Sequence, residues 1–181
     1  MDSRNKNRLV LLLVVAVFAM PLAAAFLLRY SDWRPHHTTS SGTLVDPPRD
    51  LSGVTLTLVD GGTFDWRDPR FRWTLLALPG ARCAAACRER LDEALRMRIT
   101  LGRNAERLRV LYVGPVLGPE FVAQRAPLQA AAGSEAFARE RARGDDALAL
   151  ALVDPNGRMM LAYSDGYSAQ GLRRDVMKVL Y

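Results

Sequence analysis

The sequence predicts an α/β fold, in which a central mixed sheet is flanked by helices, behind one N-terminal transmembrane helix. Three observations support this prediction. Residues 9–28 are apolar and carry no charge. Two later runs, residues 73–78 and 108–113, are almost continuously apolar, as in strands that are covered on both faces. Between these runs lies an amphipathic stretch that begins with the only two cysteines of the chain, Cys83 and Cys87.

Composition limits the class of protein. A chain of 181 residues is long enough for one domain and a short extra segment, but not for two full domains. The formal net charge is +6, yet acidic residues are interleaved with the arginines. No basic stripe with aromatic residues is present, which argues against nucleic-acid binding. Two cysteines are too few for a disulfide framework, so the pair indicates a redox site, a metal site or one local disulfide.

The apolar run at residues 9–28 is about long enough to cross a membrane as a helix. Three basic residues precede it, so the positive-inside rule places residues 1–8 in the cytoplasm. The alternative is a cleaved signal peptide, since Ala23 and Ala25 form an A-x-A site. The run continues past that site, which favours an uncleaved anchor. Both alternatives place the domain outside the cytoplasm, where disulfides persist.

Residues 29–50 are interpreted as a linker, because they are rich in serine, threonine, proline and histidine. The two histidines of the chain, His36 and His37, lie in this segment. Adjacent histidines in a polar linker are more often solvated than bound to a metal. Residues 42–49 indicate an extended segment that leads into a domain over residues 51–181.

The first half of the domain predicts a hairpin followed by a strand–helix–strand unit. Residues 54–59 alternate in polarity, a turn follows, and residues 63–66 can return as the second strand of the hairpin. The run 73–78 ends at a Pro-Gly turn, and the cysteine helix extends from about residue 83 to about residue 100. The strand at 108–113 follows closely, so a right-handed unit with parallel strands is expected.

The second half predicts helix, a strand hairpin and a final helix. Residues 121–144 are rich in Ala, Arg and Glu and indicate helix that is interrupted near Pro127 and Gly133, whereas 147–153 form a third core strand. The turn at 154–157 returns the chain into an antiparallel strand at 158–163. An apolar stripe over residues 172–180 indicates a helix that packs on the sheet. A mixed sheet in this element order, with helices on both faces, describes a thioredoxin-like fold.

Cys83 and Cys87 are four residues apart at a helix start, so their side chains share one face about one turn apart. A disulfide can close between them, and the free N–H groups of the helix N-terminus favour a thiolate at Cys83. Arg82 and Arg88 add positive charge. The pair is interpreted as a reversible dithiol or a soft-metal thiolate site, or as a fixed disulfide that only stabilises the helix.

The N-terminal anchor, the CxxxC motif from Cys83 to Cys87 and the segment LVDPNG at residues 152–157 together resemble the Sco family. Sco proteins are membrane-anchored, thioredoxin-like proteins that serve copper-site assembly in cytochrome c oxidase. The chain is also similar to small anchored Sco-like proteins of bacteria that are associated with oxidase assembly genes. The resemblance covers roughly residues 50–181.

This resemblance implies a protein of the bacterial inner membrane, with its N-terminus in the cytoplasm and its domain in the periplasm. Its partner would be a cytochrome c oxidase subunit or a copper chaperone. One implied activity is thiol-disulfide exchange, with Cys83 as the exposed nucleophile and Cys87 as the resolving thiol. Another is Cu(I) binding by the same two thiolates. The alternative is a non-catalytic scaffold of an oxidase complex, in which the disulfide is structural.

The sequence departs from the Sco pattern at two positions. Sco proteins bind copper through the two cysteines and a histidine just before the strand that leads into the Asp-Pro-x-Gly turn. Here Asp146 holds that position, and the predicted domain contains no histidine. A carboxylate is a hard ligand and a poor substitute for imidazole toward Cu(I). Arg88 replaces a proline, and two softer side chains, Met159 and Met160, lie in a predicted strand and are expected to pack in the core.

Overall fold

The structure is a computed structural model that describes residues 3–30 and 40–180. The chain divides into two compact units, residues 1–38 and 39–181. The first unit contains helix α1, Ser3–Tyr30. Its stretch Val10–Leu27 is long and apolar enough to cross a membrane, and at about 1.5 Å per residue it spans roughly 27 Å. The predicted linker histidines, His36 and His37, lie outside the described residues.

The second unit is built on one six-stranded mixed sheet with the strand order β1-β6-β5-β2-β3-β4. Strands β2, β3 and β4 are parallel, whereas β5 is antiparallel to both β2 and β6, and β1 is antiparallel to β6. The strands are β1 (Thr43–Asp50), β2 (Trp73–Pro79), β3 (Leu108–Gly114), β4 (Leu128–Ala132), β5 (Leu148–Val153) and β6 (Arg158–Tyr163). The helices are α2 (Ala85–Ile99), α3 (Pro119–Ala123) and α4 (Ala169–Leu180), with 3₁₀ turns at Gly102–Arg107 and Glu135–Phe137.

The central strands are apolar throughout because both of their faces are buried. Alternate residues of a strand point to opposite faces of the sheet, and β2 accordingly supplies Leu75 and Ala77 to one core and Leu76 and Leu78 to the other. The first core also contains residues of α2 and α4. The predicted central mixed sheet, its parallel β2–β3 pair and its β5–β6 hairpin are confirmed.

The sheet is flanked by helices, but in the described part of the chain the α-helices of the core lie on one face, whereas the second face is covered by residues 51–66 and a 3₁₀ turn instead of the expected helix. Residues 51–66 cross that face and contribute Leu56, Phe64 and Trp66 to its core, beside Phe137 from a 3₁₀ turn. These large side chains fill the layer that a helix would otherwise occupy. The hairpin predicted in this segment is reduced to the single bridge between Thr57 and Thr63.

Both edge strands differ from the prediction. Residues 43–50, predicted as the end of the linker, form β1 and pair with β6. Residues 128–132 lie in the stretch predicted as helix but form β4, which pairs with β3. Alanine favours helix intrinsically, yet the apolar residues of this short segment gain burial against β3, and tertiary packing overrides the propensity.

Several chain segments meet at one edge of the sheet, which we call the cysteine edge. The carboxyl end of β2 lies there, and Pro79 pairs with Leu148 at the beginning of β5. The carboxyl end of β3 is at the same edge, since β3 is parallel to β2. The first residue of β1, Thr43, pairs with Ala162 near the end of β6 and therefore lies at this edge as well.

Candidate functional site: a disulfide at the start of a helix

Cys83 and Cys87 are joined by a disulfide, with their Cα atoms 5.0 Å apart. The cysteine helix was predicted to begin near residue 83, but α2 begins at Ala85. Cys83 therefore lies in the loop after β2, and Cys87 lies in the first turn of the helix. The exposed fraction is 8% for Cys83 and 0% for Cys87. Cys83 is thus the less buried residue of the pair.

The carboxylate of Asp146 binds the backbone at the start of α2. Its Oδ1 accepts hydrogen bonds from the N–H groups of Ala84, at 2.6 Å, and of Cys87, at 3.1 Å. Its Oδ2 accepts one from the N–H group of Ala86, at 3.0 Å. The residue at the local N-cap position, Ala84, has no side chain that can cap the helix. Asp146, which lies just before β5, therefore caps α2 in place of a serine or aspartate at the helix start.

Hydrogen bonding keeps the Asp146 carboxylate ionised. Partial burial by itself would raise the pKa of this carboxyl group, but the N–H groups of Ala86, Cys87 and Ala84 outweigh burial and lower the pKa. The positive charge of Arg82 acts in the same direction. A carboxylate that accepts several backbone hydrogen bonds is stabilised in its charged form. The site therefore contains a fixed negative charge beside the disulfide.

Two loops are paired to bring Asp146 to the helix. The N–H group of Gly80 donates to the carbonyl oxygen of Ala147 at 3.1 Å, and that of Arg82 donates to the carbonyl oxygen of Asp145 at 3.0 Å. These bonds extend the β2–β5 pairing past Pro79. A Cβ atom at Gly80 would lie 1.9 Å from the carbonyl oxygen of Gly144. Only glycine allows the two loops to approach this closely.

We expect Gly80→Ala to destabilise the protein by about 2–3 kcal/mol, because the new methyl group overpacks a backbone contact and pushes the two loops apart. Urea unfolding of the full chain in detergent micelles measures this change. Gly53→Ala is the matched control, since a Cβ atom there meets nothing within 4 Å. Equal stability of the two variants would contradict the close approach at Gly80.

The two arginines beside the cysteines have different surroundings. Arg82 forms an ion pair with Asp145 at 3.6 Å, and both side chains are 70% exposed, so this pair contributes little to stability. The Nε–H group of Arg88 donates to the carbonyl oxygen of Cys83 at 3.3 Å, and its guanidinium group lies 5.0 Å from the ring centre of Phe121. Arg88, at the position of the Sco proline, therefore ties the loop of Cys83 to α2 and α3.

The described residues do not supply the three-donor copper set of the Sco pattern. No group of three or more His, Cys, Asp or Glu residues that could hold a metal ion is found in the described part of the chain. Asp146 occupies the histidine position, but its two oxygens accept three backbone hydrogen bonds. Met159 is fully buried in the core on the other face of the sheet, as predicted, whereas Met160 is only half-buried and belongs to neither core. The two cysteine sulfurs are the soft donors of this site.

The fold and the site together define a thioredoxin-like domain that carries a cysteine pair where the first parallel strand meets its helix. The model of the family described as "transmembrane-like, thioredoxin-like, C-terminal domain" matches residues 73–181. The chain belongs to this family. A comparison with curated protein sequences gave no match.

Solved structures share this fold. The apo Sco1 protein from Thermus thermophilus has a TM-score of 0.54 and 19% sequence identity, with 81% of this chain and 99% of that chain covered. Yeast Sco1 with copper bound has a TM-score of 0.52 and 13% identity, covering 80% of this chain and 94% of that one. A candidate thiol:disulfide interchange protein DsbE from Chlorobium tepidum has a TM-score of 0.52 and 16% identity, covering 77% and 97%. The predicted Sco-like, thioredoxin-like fold is confirmed.

Proposed function

We propose that this protein is a membrane-anchored thiol-disulfide exchange factor that serves the assembly of cytochrome c oxidase. The observation that carries the proposal is the asymmetry of the pair. Cys83 retains some exposure in a loop at the cysteine edge, and Cys87 is fully buried behind it in the first turn of α2. A nucleophilic cysteine and a protected resolving cysteine have this arrangement. The likeness of the fold to both Sco and DsbE proteins supports it.

The proposed reaction is a two-electron exchange. When the protein is reduced, the Cys83 thiolate attacks one sulfur of a client disulfide, the client S–S bond breaks, and a client thiolate leaves. Cys87, after losing its proton, attacks the Cys83 sulfur of the mixed disulfide and releases the second client thiolate. The two client thiolates take up two protons, so the client is reduced and the Cys83–Cys87 pair is oxidised. The same steps in reverse oxidise a client dithiol.

We place the domain on the outer face of a bacterial cytoplasmic membrane, with residues 1–8 inside. The basic residues before the apolar stretch of α1 support this orientation, and a disulfide persists in that compartment. The client would present its own cysteine pair on an oxidase subunit or on a copper chaperone. BsSco, which has a similar structure, is described as a member of the Sco family of cytochrome c oxidase assembly proteins, and this supports the choice of partner.

The deciding experiment is the reduction potential of the pair. We expect a value above about −300 mV, in the exchangeable range, because structural disulfides of exported proteins lie below it. The full chain in detergent micelles is equilibrated in thiol redox buffers and then alkylated. The chain has two cysteines, so every alkylated thiol reports on this pair. A value below that limit would instead favour the scaffold hypothesis, in which the disulfide only stabilises the start of α2.

Copper binding offers a separate measurement. We expect the reduced wild-type protein to bind Cu(I) at least about tenfold more weakly than an Asp146→His variant, because imidazole is a better Cu(I) ligand than a carboxylate. Competition with a Cu(I) chelator measures both affinities, and Asp145→His is the control at an exposed neighbouring position. Equal affinities of all three proteins would contradict the expectation that a histidine at position 146 completes a three-donor set.

A further inference from the structure

We propose that Asp146 is a positioning residue that makes the Cys83–Cys87 pair more reducing. It does so by occupying backbone amides at the start of α2 that would otherwise stabilise a cysteine thiolate. This inference rests on the proposed exchange function. It adds to that function by naming a residue that lowers the reduction potential of the pair, so that reduction of a client is favoured over its oxidation.

The backbone amides at the start of α2 are occupied by the Asp146 carboxylate. The first N–H groups of a helix have no partner within the helix, and a cysteine at a helix N-terminus gains stabilisation of its thiolate there. In this structure the N–H groups of Ala84, Ala86 and Cys87 all donate to the Asp146 carboxylate. A thiolate that forms on reduction therefore has to compete with an ionised carboxylate for the same donors.

The negative charge of Asp146 lies beside the cysteine pair. The Asp146 carboxylate accepts a hydrogen bond from the backbone of Cys87 itself, at 3.1 Å. A fixed negative charge that is bonded to the backbone of one of the two cysteines disfavours a second negative charge on the sulfurs. The disulfide form carries no charge, so the carboxylate destabilises the reduced form relative to the oxidised form. When the reduced form is less stable, the potential is lower and the dithiol is the stronger reductant.

Backbone hydrogen bonds hold Asp146 in place. The residues on both sides of Asp146 are bonded to the loop that carries Cys83: the carbonyl oxygen of Asp145 accepts from the Arg82 amide at 3.0 Å, and that of Ala147 accepts from the Gly80 amide at 3.1 Å. The backbone on both sides of Asp146 thus holds this residue against the loop that carries Cys83. Its carboxylate therefore keeps its position beside the pair.

The test compares the potential of wild-type, Asp146→Asn and Asp145→Asn proteins as full chains in detergent micelles, in dithiothreitol buffers. Asp146→Asn keeps the shape and one acceptor oxygen but removes the charge. We expect it to shift the equilibrium about tenfold toward the dithiol, which corresponds to a potential higher by about 30 mV. Asp145→Asn removes the same charge from a side chain that is 70% exposed, and we expect its potential to stay within about twofold of wild type in equilibrium constant.

A second variant separates charge from helix capping. Asp146→Glu keeps the charge and shifts the cap geometry, so a potential close to that of the wild type supports the electrostatic role, whereas a shift as large as that of Asp146→Asn overturns it. Equal potentials of Asp146→Asn and Asp145→Asn also overturn the inference. Each of these outcomes compares the equilibrium constants of two proteins, so it holds for any value of the wild-type reduction potential. A wild-type potential in the range of structural disulfides, together with the expected Asp146→Asn shift, would overturn the proposed exchange function and keep the role of Asp146.

Discussion

Cys87→Ser is expected to accumulate a stable mixed disulfide at Cys83, and Cys83→Ser is expected to lose exchange almost completely. In the first variant the accessible sulfur is present and the resolving thiol is absent, so the first step proceeds and the second cannot. In the second variant the remaining sulfur is fully buried. It reacts only when the first turn of α2 opens, which costs a few kcal/mol and slows the reaction by about a hundredfold or more.

Trapping by oxidised glutathione, followed by mass spectrometry of the intact chain, measures this difference. The two variants are matched, because each lacks the disulfide and keeps one thiol. The double variant Cys83→Ser with Cys87→Ser is the blank, since the chain then has no cysteine. If both single variants form mixed disulfides at similar rates, the assignment of Cys83 as nucleophile and Cys87 as resolving thiol is wrong.

Asp175→Ala is expected to lower the free energy of unfolding by about 3–5 kcal/mol, because it leaves two buried donors and one part-buried donor without an acceptor. The Asp175 side chain, on α4, is nearly fully buried. Its Oδ2 accepts hydrogen bonds from the N–H groups of Ser41, at 2.6 Å, and Gly42, at 3.1 Å, and from the hydroxyl group of Tyr163, at 3.2 Å. Burial and the neighbouring carboxylate raise the pKa of Tyr163, so its hydroxyl group stays protonated and donates to Asp175.

Urea unfolding of the full chain in micelles, followed by tryptophan fluorescence, tests this prediction. Tyr163→Phe removes one of the three hydrogen bonds and is expected to cost about 1 kcal/mol. Asp165→Ala, at an exposed turn position, is the control for the loss of an acidic residue. A loss of less than about 1 kcal/mol in Asp175→Ala would mean that the two backbone amides find other partners.

The central strands could be predicted from their own sequences, because a nearly continuous apolar run is typical of a strand that is buried on both faces. β2, β3 and β5 are buried on both faces and read as apolar runs of six or seven residues. The edge strands lack that signal. β1 contains two prolines and is mostly exposed, and β4 is a short segment with three alanines. Their strand conformation follows from pairing with β6 and β3, which a local pattern does not contain.

The cysteine pair could also be located from the sequence, whereas the role of Asp146 could not. The Sco resemblance pointed to Asp146 as the residue in place of a ligand, and the structure shows it bonded to the helix instead. A helix cap is normally read from the residue at the helix start, but here the capping side chain lies about 60 residues further along the chain. One signal was available: the helix begins with alanines and no local Ser, Thr, Asp or Asn, so its free amides had to find an acceptor elsewhere.

The position of β1 has a consequence for the shape of the clients. Thr43 enters the sheet at the cysteine edge, three strands away from β2 in the strand order, which is roughly 14 Å at the usual strand spacing. Cys83 and the start of β1 thus share one end of the domain, and in the proposed exchange reaction a client reaches the Cys83 sulfur beside residues 41–42, which are bonded to Asp175. Because Cys83 is only 8% exposed, we expect clients that carry their cysteines on a narrow protruding loop or an extended tail to react faster than clients whose thiols lie on a broad, flat surface.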